Sequence, residues 1–124
     1  MTKQQLDSWL KFFGRAWSEQ NIDKVMSLFD KDDITYYESV FDPPITSWKS
    51  VEKLWEVVHT NQKDITFTHK IILCSKNQGI VNWKVSRFFI PTNENQRIDG
   101  IFQISLNRNG LCTFFKQWRM VKGS

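Results

Sequence analysis

The sequence predicts an α+β fold, three N-terminal helices packed on one face of a bent antiparallel sheet, and three observations carry this. Apolar residues recur at three- and four-residue spacing through the first half of the chain. From Ile65 the period changes to two, in four segments rich in Ile, Val, Phe, Trp and Thr. Short turn clusters separate these segments, so consecutive strands should be antiparallel neighbours. A chain of 124 residues is expected to form one domain, 1–124, long enough to bury a two-layer core without disulfides or metal.

Thr2 followed by Gln5 has the form of a capping box, and Leu6, Trp9, Leu10, Phe13 and Trp17 then mark one face of a first helix. Asn21 caps a shorter second helix with Ile22, Val25, Met26 and Phe29 on its apolar side, until the acids Asp30, Asp32 and Asp33 break the pattern. A short strand at 34–38 follows, then a Pro-Pro loop at 41–44. Ser47 or Ser50 caps a third helix carrying Val51, Leu54, Trp55 and Val58, which fades near Asn61. Four strands at 65–75, 79–90, 97–106 and 111–121 complete the chain, broken by turn residues at 76–79, 91–95 and 107–110.

Composition narrows the function classes. Aromatic residues make up 15% of the chain, with six Trp and ten Phe, so the rings must be buried, paired or lining a cavity. The 17 Lys and Arg are scattered singly among 13 acids and give a net charge of +4, with no basic run that would track a phosphate backbone; nucleic acid is not an expected partner. Cys74 and Cys112 stand alone, without metal-ligand spacing, so no disulfide, metal or cofactor is expected. The amphipathic N-terminal segment lacks the apolar core of a signal peptide, and no apolar run approaches membrane-spanning length. A cytoplasmic protein without membrane contact is the expectation.

Strand alternation sorts inward from outward side chains. Val81, Trp83 and Val85 alternate with Asn82, Lys84 and Ser86, while Phe102, Ile104 and Leu106 alternate with Asp99, Gln103 and Ser105. The apolar sets should face the helices. Arg97 and Asp99 read as a surface pair, and Ile72, Ile101 and Phe114 fall on the outer face.

Several segments resemble the SnoaL-like and nuclear transport factor 2-like superfamily. One is the run from Trp17 to Phe29 ending in Leu-Phe, followed by Asp32-Asp33 and a strand through Tyr36 to Glu38; another is the final hairpin, from Asp99-Gly100 through Asn109-Gly110 to Phe114, Phe115 and Trp118. The resemblance implies a cystatin-like cone with a small hydrophobic ligand between helices and sheet, and a homodimer through the outer sheet face. It makes Phe13, Trp17, Tyr36, Trp55, Trp83, Phe102, Phe115 and Gln117 the candidate ligand-binding residues.

Glu38 is the candidate catalytic residue. It lies two positions after Tyr36, so both share a strand face, and a carboxylate among aromatic rings is expected to have a raised pKa suited to acid/base work. It also matches the catalytic carboxylate of steroid isomerases that share the fold. The other positions differ from those enzymes: Phe13, Trp55 and Phe102 stand where hydroxyl or acid groups would stabilise an enolate. Trp83, Val85 and Gln117 replace the Arg and Asp groups of epoxide hydrolases, and Phe102 replaces the acid of polyketide cyclases. Arg87 shares a face with Trp83 and Val85 and is placed to meet an anionic ligand or Glu38, whereas His59 and His69 read as structural. Two classes follow: a small-molecule pocket with isomerase, cyclase or hydrolase-type chemistry at Glu38, or a non-catalytic dimeric interaction or ligand-binding module.

Overall fold

The structure, a computed structural model, describes residues 1–123. Its elements are α1 (Lys3–Ser18), α2 (Ile22–Met26), β1 (Thr35–Tyr37), α3 (Trp48–Asn61), β2 (Gln62–Cys74), β3 (Gly79–Phe89), a 3-10 turn (Ile90–Thr92), β4 (Glu94–Leu106) and β5 (Cys112–Gly123). The five strands form one sheet in the order β1-β5-β4-β3-β2. The four long strands make the expected antiparallel meander, but β1 joins the far edge parallel to β5, with Tyr36 opposite Phe115, so the sheet is mixed rather than wholly antiparallel. Parallel neighbours need a long connection, here the whole of α3 and the meander.

Local chemistry sets the element ends. The Thr2 hydroxyl accepts from Gln5 N at 3.1 Å and the Gln5 side-chain Oε1 accepts from Thr2 N at 2.8 Å, completing the capping box. Asn21 caps α2 through Lys24 N, and Ser47 rather than Ser50 caps α3. Asp30 accepts from the amides of Asp32 and Asp33 and from the Asn107 side chain, which ties the end of the helical layer to the β4–β5 hairpin. β2 and β4 each start three residues before the expected Ile65 and Arg97. In the second case Pro91 lies inside the 3-10 turn, and Asn93 takes a left-handed conformation (φ 52°) that closes the connection before Glu94. Register shifts in β2 and near the end of β4 bend the sheet around the helices.

The core is a column of rings. Trp83 and Phe102 stack at 4.6 Å, Tyr36 and Phe115 at 4.8 Å, and Phe13 lies between the helical and sheet rings. Gly100 makes the first stack possible, because a Cβ there would run into the Trp118 carbonyl and the Trp83 indole edge. Gly100→Ala is expected to cost about 1–3 kcal/mol, the range for overpacking, read as a lower urea midpoint at unchanged m-value.

His69, read as structural, meets the Asp7 carboxylate of α1 at 2.7 Å, a partner 62 residues away, and Lys11 meets the other oxygen at 3.1 Å. The hydrogen bond from His69, and then that from Lys11, lowers the Asp7 pKa below its ordinary value. A carboxylate depressed in the folded state adds stability above its unfolded pKa and loses it as pH falls through the folded value. Thermal melts from pH 5 to 2 should therefore show a shallower acid decline in Asp7→Asn than in the parent. The effect is small, since the Asp7 side chain is 37% exposed.

Candidate functional site

A cavity of about 250 Å³ opens between the helices and the sheet. Phe13 and Trp17 reach it from one face of α1, four residues apart, and Leu54, Trp55 and Val58 reach it from α3. Period-two alternation supplies the sheet wall: Trp83 and Arg87 from β3, Ile98 and Phe102 from β4, Phe115, Gln117 and Arg119 from β5. Tyr36 and Glu38 come from β1 and the residue following it. Every candidate ligand-binding residue, and Glu38, thus borders one cavity. Phe13, Tyr36, Trp83, Phe102 and Phe115 form its closed floor, each almost without solvent exposure. Glu38, Arg87 and Arg119 form its partly open rim.

The carboxylate at this rim is held from two sides. Gln117 Nε2 donates to Glu38 Oε2 at 2.8 Å, and Arg119 Nη2 donates to Oε1 at 2.9 Å. Arg119 Nη1 also donates to the Glu38 main-chain carbonyl at 3.0 Å, so one guanidinium fixes both side chain and backbone. The expected setting, a lone carboxylate among rings, is therefore not found. Arg119 went unremarked in the sequence, although Phe115, Gln117 and Arg119 follow one alternation.

Polar groups also lie deeper. Trp17 Nε1 donates to Gln62 Oε1 at 3.0 Å, and Gln20 Nε2 donates to the Gln62 carbonyl at 2.6 Å, so Gln62 ties α1 to the α3–β2 junction. Periodicity gave no signal for Gln62, which sits where the helical pattern stops. The indole N–H groups of Trp55 and Trp83 are buried without a hydrogen-bond partner. A buried donor left unpaired costs about 1–3 kcal/mol. The Trp55 indole neighbours the Tyr36 hydroxyl but does not meet it in hydrogen-bond geometry; burial, and then the Glu38 charge, pushes that phenol's pKa up. The sequence showed no hydroxyl or acid donor at Phe13, Trp55 or Phe102, and the unpaired donors found here are these two indole N–H groups, both closed to solvent.

Arg87 does not pair with Glu38. Its Nε and Nη2 donate to Gln96 Oε1 at 3.1 and 2.8 Å, and its guanidinium lies 4.6 Å from the Phe89 ring. Arg97 and Asp99 are both exposed, but Asp99 accepts from Asn82 and faces Lys84 rather than Arg97. His59 is exposed at the end of α3, outside the cavity wall. Among the described residues no group of three His, Cys, Asp or Glu is arranged to hold a metal ion. Cys74 and Cys112 are free thiols, and burial raises the Cys112 pKa far above its ordinary value. No helix of the described residues is long and apolar enough to cross a membrane.

A family model described as a SnoaL-like domain matches residues 9–115. No curated protein matches the chain in sequence. Among solved structures, the epoxide hydrolase/cyclase-like enzyme SalBIII, associated with pyran ring formation in the polyether salinomycin, superposes with a TM-score of 0.84 at 12% identity, over 98% of each chain. A computationally designed 17-OHP binder gives 0.75 at 16% identity, over 94% of this chain and 96% of the other. An NTF2-like protein of unknown function from Exiguobacterium sp. gives 0.73 at 18% identity, over 94% and 98%. At these identities the likeness is one of fold: three helices on a five-stranded mixed sheet, the nuclear transport factor 2-like cone.

Proposed function

We propose that this chain, which belongs to the SnoaL-like domain family, holds a small ring-containing molecule in its cavity, with one oxygen of that molecule accepting from a buried indole. The observation that carries this reading is the pair of partnerless indole N–H groups, Trp55 and Trp83, in the wall of an aromatic hollow. Flat apolar walls with a few fixed polar groups are the ordinary make-up of a small-molecule site, and an acceptor supplied by a ligand would satisfy a donor the protein leaves unpaired. That a designed protein of this fold binds 17-OHP is in keeping with such a use of the cone. The test pairs 2-tetralone with tetralin, its counterpart without the carbonyl. Wild type should bind the ketone about tenfold more tightly, a hydrogen bond's worth, with tryptophan fluorescence quenched on binding. Trp55→Phe and Trp83→Phe identify the donor, since one of them should remove the preference. Equal affinities for the two compounds would count against the reading.

Acid/base chemistry of isomerase, cyclase or hydrolase type at Glu38 is the second reading. It is favoured by one observation: among the described residues Glu38 is the sole carboxylate in the cavity wall, held in one orientation by Gln117 and Arg119. Candidate general bases are recognised by position first.

The homodimer belongs to the same proposal. Of the residues expected on the outer sheet face Ile72 is exposed while Ile101 and Phe114 are half-buried; Trp118 and Met120 are exposed as well, and a hollow of about 550 Å³ is bordered by Thr66, Lys84, Arg97 and Met120. Sedimentation should show a dimer at micromolar concentration that Met120→Asp and Trp118→Asp shift to monomer. A parent that sediments as monomer would remove the dimer and, with it, the alternative of a purely dimeric interaction module.

A further inference from the structure

We infer that the molecule taken by this cavity carries a carboxylate, and that Arg87 receives it. The inference rests on the small-molecule reading above and names the class of ligand.

Among the described residues three charged side chains border the cavity: Glu38, Arg87 and Arg119. Two of them cancel, because Arg119 meets Glu38 at 2.9 Å. Arg87 is left over. Its partners are a neutral amide oxygen, Gln96 Oε1, and the face of Phe89. Gln96 in turn donates to Glu94 Oε1 at 3.0 Å, so the nearest outside carboxylate acts on Arg87 only through an intervening amide. Among the described residues no carboxylate lies within ion-pair distance of Arg87.

A guanidinium withdrawn from water keeps its charge at a cost that an adjacent anion offsets. Here the protein withholds the anion and adds a second cation. Burial, followed by repulsion from Arg119, lowers the Arg87 pKa, and Glu38 opposes them only in part. The wall is thus net positive on a rim whose other surface is aromatic. Arg87 Nε and Nη2 hold Gln96, which fixes the plane of the fork, while Nη1 makes no hydrogen bond. An oriented guanidinium with donors to spare suits a carboxylate better than a neutral acceptor. Geometry also sets the ligand's shape. Arg87 follows Trp83 by four residues on the same strand face, about 13 Å of backbone, with its fork held at the rim by Gln96. An aromatic ring held in the hollow, with an acid arm directed at the rim, bridges the two.

The experiment compares 1-naphthylacetate with 1-naphthylacetamide, alike in shape and different in charge, by titration calorimetry at low ionic strength. Binding of the neutral amide reads the cavity itself, and the ratio of the two affinities reads the charge. Wild type should prefer the carboxylate at least tenfold, and the preference should shrink with added salt. Arg87→Gln should abolish the preference, and Arg87→Lys should keep part of it. Equal affinities in wild type, which need no variant to measure, or a preference that survives Arg87→Gln, would overturn the assignment while leaving the cavity reading intact. If neither compound binds, the small-molecule reading falls and takes the carboxylate with it.

Discussion

Phe13→Ala is expected to destabilise the fold by about 3–5 kcal/mol, the cost of removing a large buried ring, and to lower the melting temperature by roughly 10–20 °C for a domain of this size. Phe13 is 1% exposed and is the meeting point of both layers. It stacks on Trp9 at 5.2 Å and meets Trp55, Phe67 and Phe102 edge to face at 5.6, 5.7 and 5.8 Å. Such pairs add about 0.5–1.5 kcal/mol each beyond the area they bury. Neighbouring rings are poorly able to collapse into the gap, since Trp83 and Phe102 are locked in their own stack against the backbone of Gly100. The space vacated would join the adjoining cavity and enlarge it. Phe13→Leu, which keeps most of the volume, should lose no more than about half as much. Urea denaturation of the two variants checks this, and a loss below about 1.5 kcal/mol for Ala would mean that the ring column is looser than its geometry implies.

The ring column was also the part of the site that the sequence made legible. Helical spacing put Phe13 and Trp17 on one face, and period-two alternation put Trp83, Phe102 and Phe115 on another; once helices cover one side of a sheet, these faces have nowhere to converge but the space between them. The same logic gave Gln117, and carried one step further along β5 it gives Arg119. What stayed hidden depended on contacts remote in sequence. Asp7 and His69 are 62 residues apart, Glu38 and Arg119 are 81, and no local pattern couples them. The parallel placement of β1 against β5 was hidden for the same reason. Arg87 shows the limit from the other side. Its inward face was legible, but its partner was not, because Gln96 fell between the expected turn at 91–95 and the expected strand at 97–106 and proved to lie near the start of β4.

Glu38→Gln is expected to lower proton-transfer activity by about 10²–10⁴-fold, the usual contribution of a positioned general acid or base, while strengthening rather than weakening the binding of an anion. The two effects come from one change. An amide at position 38 preserves shape, and its oxygen still accepts from Arg119 Nη2; its NH₂ faces Gln117, whose own amide flips to present an oxygen. The fold should therefore be retained. What disappears is the negative charge, which leaves the Arg119 charge uncompensated and makes the wall more positive. The chemistry is measurable without a natural substrate. 2-Tetralone dissolved in D₂O exchanges the protons beside its carbonyl through an enolate, and a positioned base speeds that exchange. Under the binding reading proposed above, the indole N–H that holds the ketone oxygen would also steady the enolate oxygen. Wild-type protein should accelerate the exchange seen by proton NMR, and Glu38→Gln should abolish the acceleration while leaving 2-tetralone affinity within about twofold and raising 1-naphthylacetate affinity. If exchange stays at the solvent rate with wild type while 2-tetralone is bound, Glu38 serves as a fixed binding group and the protein is a binder. If exchange is fast and survives the substitution, the base lies elsewhere in the cavity, and the pairing of Glu38 with Arg119 is only a latch that holds the end of β1 against β5.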